Sequence, residues 1–202
     1  MDALIDGYRR FRAETWPRER ARFEELAARG QRPNTMVIAC SDSRVDPQMI
    51  FSAGPGELFV LRNVANLVPP YMPDALFHGT SAAVEFAVRV LKVERIVVMG
   101  HALCGGIRAV LEGTPPEASD FVAGWIRIAE RARAVALRCD VPDQRQEAAE
   151  HEAVRISLDN LMTFPWVAEA VAAGSLSLHG AHFGVATGRL VLLPAKGDPQ
   201  AP

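Results

Sequence analysis

The stretch RIVVMGHALCGGIRAVL (95–111) decides how this chain folds. Ile96, Val97, Val98 and Met99 are apolar on both alternating sets of positions, the pattern of a strand buried on two faces. Ile107, Val110 and Leu111 recur three and four residues apart and predict a helix running to about Leu111. HALCGG (101–106) lies between them, at the carboxyl end of the strand. A strand that feeds straight into a helix is half of a parallel β-α unit.

The same pattern extends outward. TMVIAC (35–40) and LFVLRN (58–63) read as buried strands, the second preceded by the turn residues Gly54, Pro55 and Gly56. After the Pro-rich loop VPPYMP (68–73), a helix is expected from about Thr80 to Leu91. Residues 114–165 read as mostly helical, with an N-cap at Ser119 and a further helix in HEAVRISLDNLMTFP (151–165) that ends before Pro165. SLSLHGAHFGV (175–185) and RLVLLP (189–194), joined through Thr187-Gly188, read as a final strand or hairpin. Strands alternating with helices predict an α/β fold with a parallel sheet covered on both sides. Ahead of it, residues 2–14 and 18–29 read as two helices broken near Pro17, with Leu4, Ile5, Tyr8 and Phe11 at helical spacing and Gly30 as the stop. Helices outside the alternating pattern need a surface to cover, and a partner chain is expected to supply it. The chain thus divides into an N-terminal helical arm (1–30), an α/β domain (31–194) and a tail (195–202) expected to be disordered.

Composition excludes several classes. With 202 residues, 49% hydrophobic and 23% charged, the chain is an ordinary globular length that needs no disulfide staple. A net charge of -2 gives no electrostatic case for nucleic acid, and the Arg-rich start is interleaved with Glu as on a solvated helix face. No apolar run is long enough to span a membrane, and MDALIDGYRR lacks the pattern of a signal peptide. Three cysteines argue against a disulfide framework and for reduced thiols in the cytoplasm.

The chemistry collects at strand ends. Cys40 closes one strand and is followed by SDSRVDP; His101 closes another, with Cys104 three residues on. In open parallel sheets such ends line the ligand crevice where the strand order reverses. Two thiolates and an imidazole suit Zn²⁺, and three protein ligands leave a fourth tetrahedral position open, as in catalytic sites. Zn²⁺ lowers the pKa of a bound water to about 7. A carboxylate at Asp42 would tend to bind such an ion, and Arg44 can hold it back by a bidentate pair. Asp42 then either orients the nucleophile or takes the fourth position in a closed state. Gly105 and Gly106 are expected to allow tight backbone geometry beside Cys104. Each motif alone is weak, since a Cys ending a buried strand is usually a small hydrophobe. The two motifs together are much harder to obtain by accident. Asp46 and Pro47 read as loop geometry, Cys139 as a free thiol and His151 as a surface residue. His179 and His182, three apart on a strand, fall on opposite faces and make a poor shared metal site.

CSDSRVDP (40–47) and GHALCGG (100–106) resemble the β-class carbonic anhydrases, and LFVLRNVANLVPPY (58–71), SDFVAGWI (119–126) and EAVRISLDNLMTFPWV (152–167) are similar to the plant-type branch. The resemblance covers about residues 30–185. It implies about four parallel strands plus an antiparallel edge strand, with arm helices that embrace the partner of a homodimer, itself able to pair into a tetramer. It implies zinc on Cys40, His101 and Cys104, Asp42 and Arg44 as the catalytic pair, and Gln31, Phe59, Val64 and Gly105 around the substrate. The reaction implied is reversible hydration of carbon dioxide to bicarbonate by a zinc-bound hydroxide. Carbonyl sulfide or carbon disulfide hydrolysis on the same site is one alternative, and a noncatalytic zinc- or bicarbonate-binding protein is another. Val37 and Phe183 stand where one branch carries the Trp and Tyr of an inhibitory bicarbonate site, so control there is not expected, although Arg62 is retained. Phe86 and Val90 stand where plant-type members carry a Tyr and a His linked to proton relay, so proton export falls to buffer, water or another His, of which His78, in a loop near the pocket side, is the preferred candidate.

Overall fold

A five-stranded sheet in the order β2-β1-β3-β4-β5 forms the centre of the computed structural model, which describes residues 1–74, 76–194 and 197–202. The strands are β1 (Thr35–Cys40), β2 (Leu58–Asn63), β3 (Arg95–His101), β4 (Ser177–Phe183) and β5 (Leu190–Leu193). The first four are parallel, and β5 runs antiparallel along β4 from Gly180↔Leu193 to Phe183↔Leu190. This is the expected α/β class with its antiparallel edge.

The expected two-faced burial of β1 is present. Met36 and Ile38 enter one core with Ile96 and Val98 of β3, under Val84 of α4 (Gly79–Glu85), Val154, Leu158 and Leu161 of α8 (Arg145–Leu161) and Val167 of α9 (Pro165–Ala172). Val37 and Ala39 pack on the other face with Met99 and Ala181. Each fully buried Leu, Ile or Val contributes about 1.5–3 kcal/mol relative to exposure. At Gly100 helix α8 crosses β3 closely, and a Cβ there would lie 2.8 Å from Val154 Cγ2. A second core joins α5 (Gly105–Glu112), α6 (Val122–Ile126) and α7 (Glu130–Leu137) to α8, through Ile107, Val110, Ile126 and the alanines 129, 132, 136, 149 and 153. Cys40 and Cys104 belong to this second core.

Three local expectations change. The arm is one continuous rod: α1 (Asp2–Arg10) passes through a π-helical turn at Phe11–Thr15 into α2 (Trp16–Arg29), with no break at Pro17. Pro17 sits in the first turn of α2, where a missing N–H costs little, and the wider turn ahead of it absorbs the mismatch. The helix expected from Ser119 begins instead at Val122, after a 3₁₀ turn at Pro116–Ala118, with no side-chain cap. The helix expected from His151 begins earlier, at Arg145, which puts His151 in its interior. By contrast, Asp46 and Pro47 do set loop geometry. Asp46 accepts from the N–H groups of Gln48 and Met49, and Pro47 opens the short helix α3 (Pro47–Ile50).

The arm meets the domain at its carboxyl end, where Leu26 packs over Gly56 and Arg22 Nε donates to Pro55 O at 3.3 Å. No residue of α1 or α2 is buried; Leu4 is 72% and Tyr8 58% exposed. Of the tail, residues 195 and 196 lie outside the described ones. Beyond them Gln200 exchanges two backbone hydrogen bonds with Leu192, at 2.8 and 2.9 Å. No helix among the described residues is long and apolar enough to cross a membrane.

Candidate metal centre

β1 and β3 are neighbours, and the chain leaves them toward opposite edges of the sheet, so their carboxyl ends flank the crevice where the strand order reverses. Cys40 is the last residue of β1, His101 the last of β3, and Cys104 the N-cap of α5. One donor atom from each lies within 4.8 Å of the others, and the two sulfurs are 4.0 Å apart. Two sulfurs each about 2.3 Å from one tetrahedral ion would stand about 3.8 Å apart. His101 Nδ1 donates to Ala102 O at 2.9 Å, which leaves Nε2 with a lone pair. That Nε2 is buried and has no hydrogen-bond partner among the described residues. The orphaned nitrogen, the paired sulfurs and the soft-to-borderline donor set together fit a zinc ion.

The electrostatics point the same way. A hydrogen bond from Cys104 pulls the Cys40 thiol from 9.0 to about 4 against the cost of burial, with help from His101 and the N–H groups of Asp42 and Ala65. The hydrogen bond to Cys40 and burial push the Cys104 thiol up, although the N–H groups of Gly106 and Ile107 favour its thiolate. Burial opposes the imidazolium of His101, but the Cys40 sulfur beside it outweighs that and raises the pKa. Without an ion the cluster thus holds protons where a dication would stand.

Asp42 and Arg44 are brought beside this cluster. Arg44 Nε donates to Asp42 Oδ1 at 2.9 Å and Nη2 to Oδ2 at 2.7 Å, while the Arg44 N–H reaches Oδ1 at 3.0 Å. These bonds hold the carboxyl well below the usual carboxylate range. Oδ2 lies 4.0 Å from His101 Nε2. Arg44 Nη2 also reaches Leu103 O at 3.2 Å, which ties the β1 loop to the β3 loop. Leu103 itself takes φ 60, so the tight geometry falls on Leu103, whereas Gly105 and Gly106 have no positive φ. Gly106 is needed for another reason, since a Cβ there would come within 2.9 Å of Val64 Cγ1 and Ala65 Cβ. Ala65 and Asn66 are also held at positive φ, 63 and 50, so strained backbone surrounds the site on two sides.

Residues outside the two ligand motifs support the cluster. Arg62 grips the β1 loop, donating to Cys40 O at 2.9 Å, Asp42 O at 2.6 Å and Asp46 Oδ2 at 3.0 Å. Glu150 of α8 is 2% exposed and accepts from Cys104 N–H at 2.9 Å, Gln146 Nε2 at 2.9 Å and His182 Nε2 at 3.0 Å. A signal for Glu150 was present in the chain. Positions 150, 154, 157, 158 and 161 share one helical stripe, and four of the five carry Val, Ser or Leu buried under the sheet. His151, expected at the surface, has only 12% of its side chain exposed. Its desolvation lowers the imidazole from 6.5 to about 4, with the charges of His182 and Arg155 acting in the same direction. His179 is exposed and His182 buried, on opposite faces of β4.

The substrate candidates divide into two groups. Val64 touches the Gly106 turn, accepts from Trp125 Nε1 at 2.7 Å through its carbonyl, and lines a groove of about 670 Å³ with Asn63, His78 and Trp125. Gly105 opens α5 beside Cys104. Phe59 is not brought to the cluster within one chain. It pairs with Met36, four residues or about 13 Å of strand before Cys40, and stacks on Phe86 at 5.9 Å. Gln31 is exposed between the arm and β1, with no side-chain hydrogen bond to the cluster among the described residues.

Comparison with known proteins gives one answer. The carbonic anhydrase family profile matches residues 35–190. A carbonic anhydrase of Pseudomonas aeruginosa is 42% identical over 192 residues, 94% of this chain and 86% of that protein. The structure of the β-carbonic anhydrase CcaA superposes with a TM-score of 0.91 at 35% identity, over 100% of this chain and 99% of that one. A β-carbonic anhydrase of Sordaria macrospora, described as tetrameric, gives 0.83 at 28% identity, over 99% and 98%.

Proposed function

The chain belongs to the β-class carbonic anhydrases, and we propose that its hydration of carbon dioxide is carried out around Cys40, His101 and Cys104, with a zinc ion on those three donors. One observation carries this reading: the orphaned His101 Nε2 faces two paired sulfurs at the sheet's switch point, with the Asp42 carboxylate 4.0 Å away. Zn²⁺, when bound, supplies Lewis acidity and a water of lowered pKa.

The chain's own residues do the rest. Asp42, ionised at every working pH, can only accept hydrogen bonds, so it takes one from the O–H of the attacking group and aims its lone pair at carbon. Arg44 occupies both oxygens of Asp42 and restrains the carboxylate from taking the open ligand position. Freed from Arg44, Asp42 would close the site. Val64 and the exposed backbone at Gly105 offer a nonpolar wall suited to a linear, nonpolar substrate. His78, which lines the groove beside Val64 and pairs with Asp74, would pass the released proton to buffer.

Phe59, far along the strand from its own Cys40, and Gln31, exposed beside the arm, would serve the site of a neighbouring subunit. We read the assembly as a homodimer, able to pair further, in which the exposed arm lies on the partner and these two residues approach the partner's cluster. Three free thiols suit a reducing, cytoplasmic setting.

Stopped-flow carbon dioxide hydration on Asp42→Asn and Cys104→Ser, with zinc content measured and carbonyl sulfide run in parallel, tests the assignment. Asp42→Asn should keep its zinc and lose about a hundredfold or more in rate, and Cys104→Ser should lose zinc. Full hydration by zinc-replete Asp42→Asn, or stoichiometric zinc in Cys104→Ser, overturns it. Faster turnover of carbonyl sulfide than of carbon dioxide would reassign the substrate.

A further inference from the structure

A second cluster of metal-ligating side chains lies behind the first, on the far side of Glu150. Glu147 and His151 stand four apart on α8 and so share one helix face. His182 on β4 meets them, its ring packed edge-on against that of His151, with centroids 4.5 Å apart and planes at 85°. His151 Nε2 lies 3.9 Å from Glu147 Oε1, and one donor atom of each of the three residues lies within 4.8 Å of the others.

Two features separate this cluster from an ordinary polar patch. The first is His151 Nε2, which is buried and has no hydrogen-bond partner among the described residues. A buried nitrogen left unpaired costs about 1–3 kcal/mol, so it calls for a partner the chain does not provide. The second is the orientation of His182. Its Nε2 is engaged with Glu150 Oε2 at 3.0 Å, which leaves Nδ1 as the free nitrogen. A carboxylate on the far nitrogen is the usual way a metal-binding imidazole is held. An entry path exists as well, because a cavity of about 430 Å³, lined by Asp143, Gln146, Glu147 and His182, opens to solvent.

We propose that Glu147, His151 and His182 form a second metal site, for a borderline divalent transition ion such as Zn²⁺, Co²⁺ or Ni²⁺. Two imidazoles and one carboxylate favour such ions over Mg²⁺ or Ca²⁺, which prefer all-oxygen shells. With no sulfur among its donors, the site differs from the Cys40–His101–Cys104 centre in spectrum as well as place. It shares no ligand with that centre and does not depend on the catalytic assignment.

The test titrates the zinc-loaded protein with Co²⁺ by equilibrium dialysis and follows the absorption spectrum. The expected result is a second equivalent per chain with weak visible bands and no sulfur-to-cobalt charge transfer. Glu147→Gln, a change at a 59% exposed side chain that spares the fold, and His151→Ala should each weaken that equivalent at least about tenfold while the first zinc stays bound. A stoichiometry of one up to millimolar Co²⁺ overturns the proposal. So does a second equivalent held equally well by both variants, or one that appears with a thiolate charge-transfer band.

Discussion

Replacing Glu150 by alanine should loosen the fold and the metal grip together. The carboxylate is 2% exposed and accepts from Cys104 N–H at 2.9 Å, His182 Nε2 at 3.0 Å and Gln146 Nε2 at 2.9 Å. Removing it leaves two deeply buried donors, on Cys104 and His182, without an acceptor, each at about 1–3 kcal/mol. Gln146 can still reach Cys104 O, 3.4 Å away. Water from the adjoining cavity can fill part of the space, so the total falls in the lower half of the range, about 2–4 kcal/mol. Glu150→Gln keeps the volume and an acceptor for Cys104 N–H. Its amide meets His182 Nε2, a mismatch the imidazole relieves by changing tautomer, so the cost is about 1 kcal/mol. Urea midpoints at one fixed protein concentration measure the first effect. Transfer of zinc to a chromogenic chelator measures the second, and should be about tenfold to a hundredfold faster in Glu150→Ala and near the parent rate in Glu150→Gln. An alanine variant that loses less than about 1 kcal/mol and releases zinc at the parent rate would refute the reasoning.

Arg44→Gln removes the guanidinium that holds both oxygens of Asp42, so X-ray absorption should show an added oxygen ligand on zinc with activity lost; an unchanged zinc shell would count against the restraining role of Arg44. In protein stripped of metal, Cys40 is ionised above about 4, so its alkylation rate, read by peptide mapping, should stay flat from about pH 5 to 8; a rate still climbing toward the ordinary 9.0 contradicts the thiol pairing. His151 is held near 4 when folded and returns to 6.5 when unfolded, so the unfolded chain takes up its proton first as pH falls. Metal-free protein should therefore lose about 3 kcal/mol between pH 6.5 and 4, on top of its other titrations, and His151→Gln should remove that share; identical pH profiles for the two would sink the assignment.

The strands and the three donors were legible because each rests on local pattern. An unbroken apolar run marks a strand covered on both faces, and a Cys or His just past its end lies at the crevice by topology alone. What was not legible depends on distance through space. Phe59 lies within two residues of Leu61 and four of Asn63, yet the register with β1 sets it at the far end of the sheet from Cys40. Pro17 suggests a break, but the preceding π turn, which no composition rule predicts, carries the helix through. The burial of Glu150 and His151 follows from Gly100, fifty residues earlier, whose missing side chain lets α8 settle on β3. An EHE triplet reads as solvated until that contact is known, although the stripe through Val154, Leu158 and Leu161 already pointed inward.

The two ligand loops are held by charges of opposite sign, and the difference has a consequence at the sulfurs. Arg62, a cation, takes the carbonyls of Cys40 and Asp42, while the N–H of Asp42, with that of Ala65 beyond β2, favours the Cys40 thiolate. Glu150, an acidic residue, takes the N–H of Cys104, and the next free N–H groups, of Gly106 and Ile107 in the first turn of α5, favour the Cys104 thiolate. Each clamp fixes one backbone group of its loop, and N–H groups reach the sulfur beside it. Two sulfurs 4.0 Å apart would repel each other once both are thiolates, and these four N–H groups would offset part of that repulsion. Substituting either clamp should therefore act on the metal through the backbone, at the loop it holds, while leaving all three donor side chains in the chain.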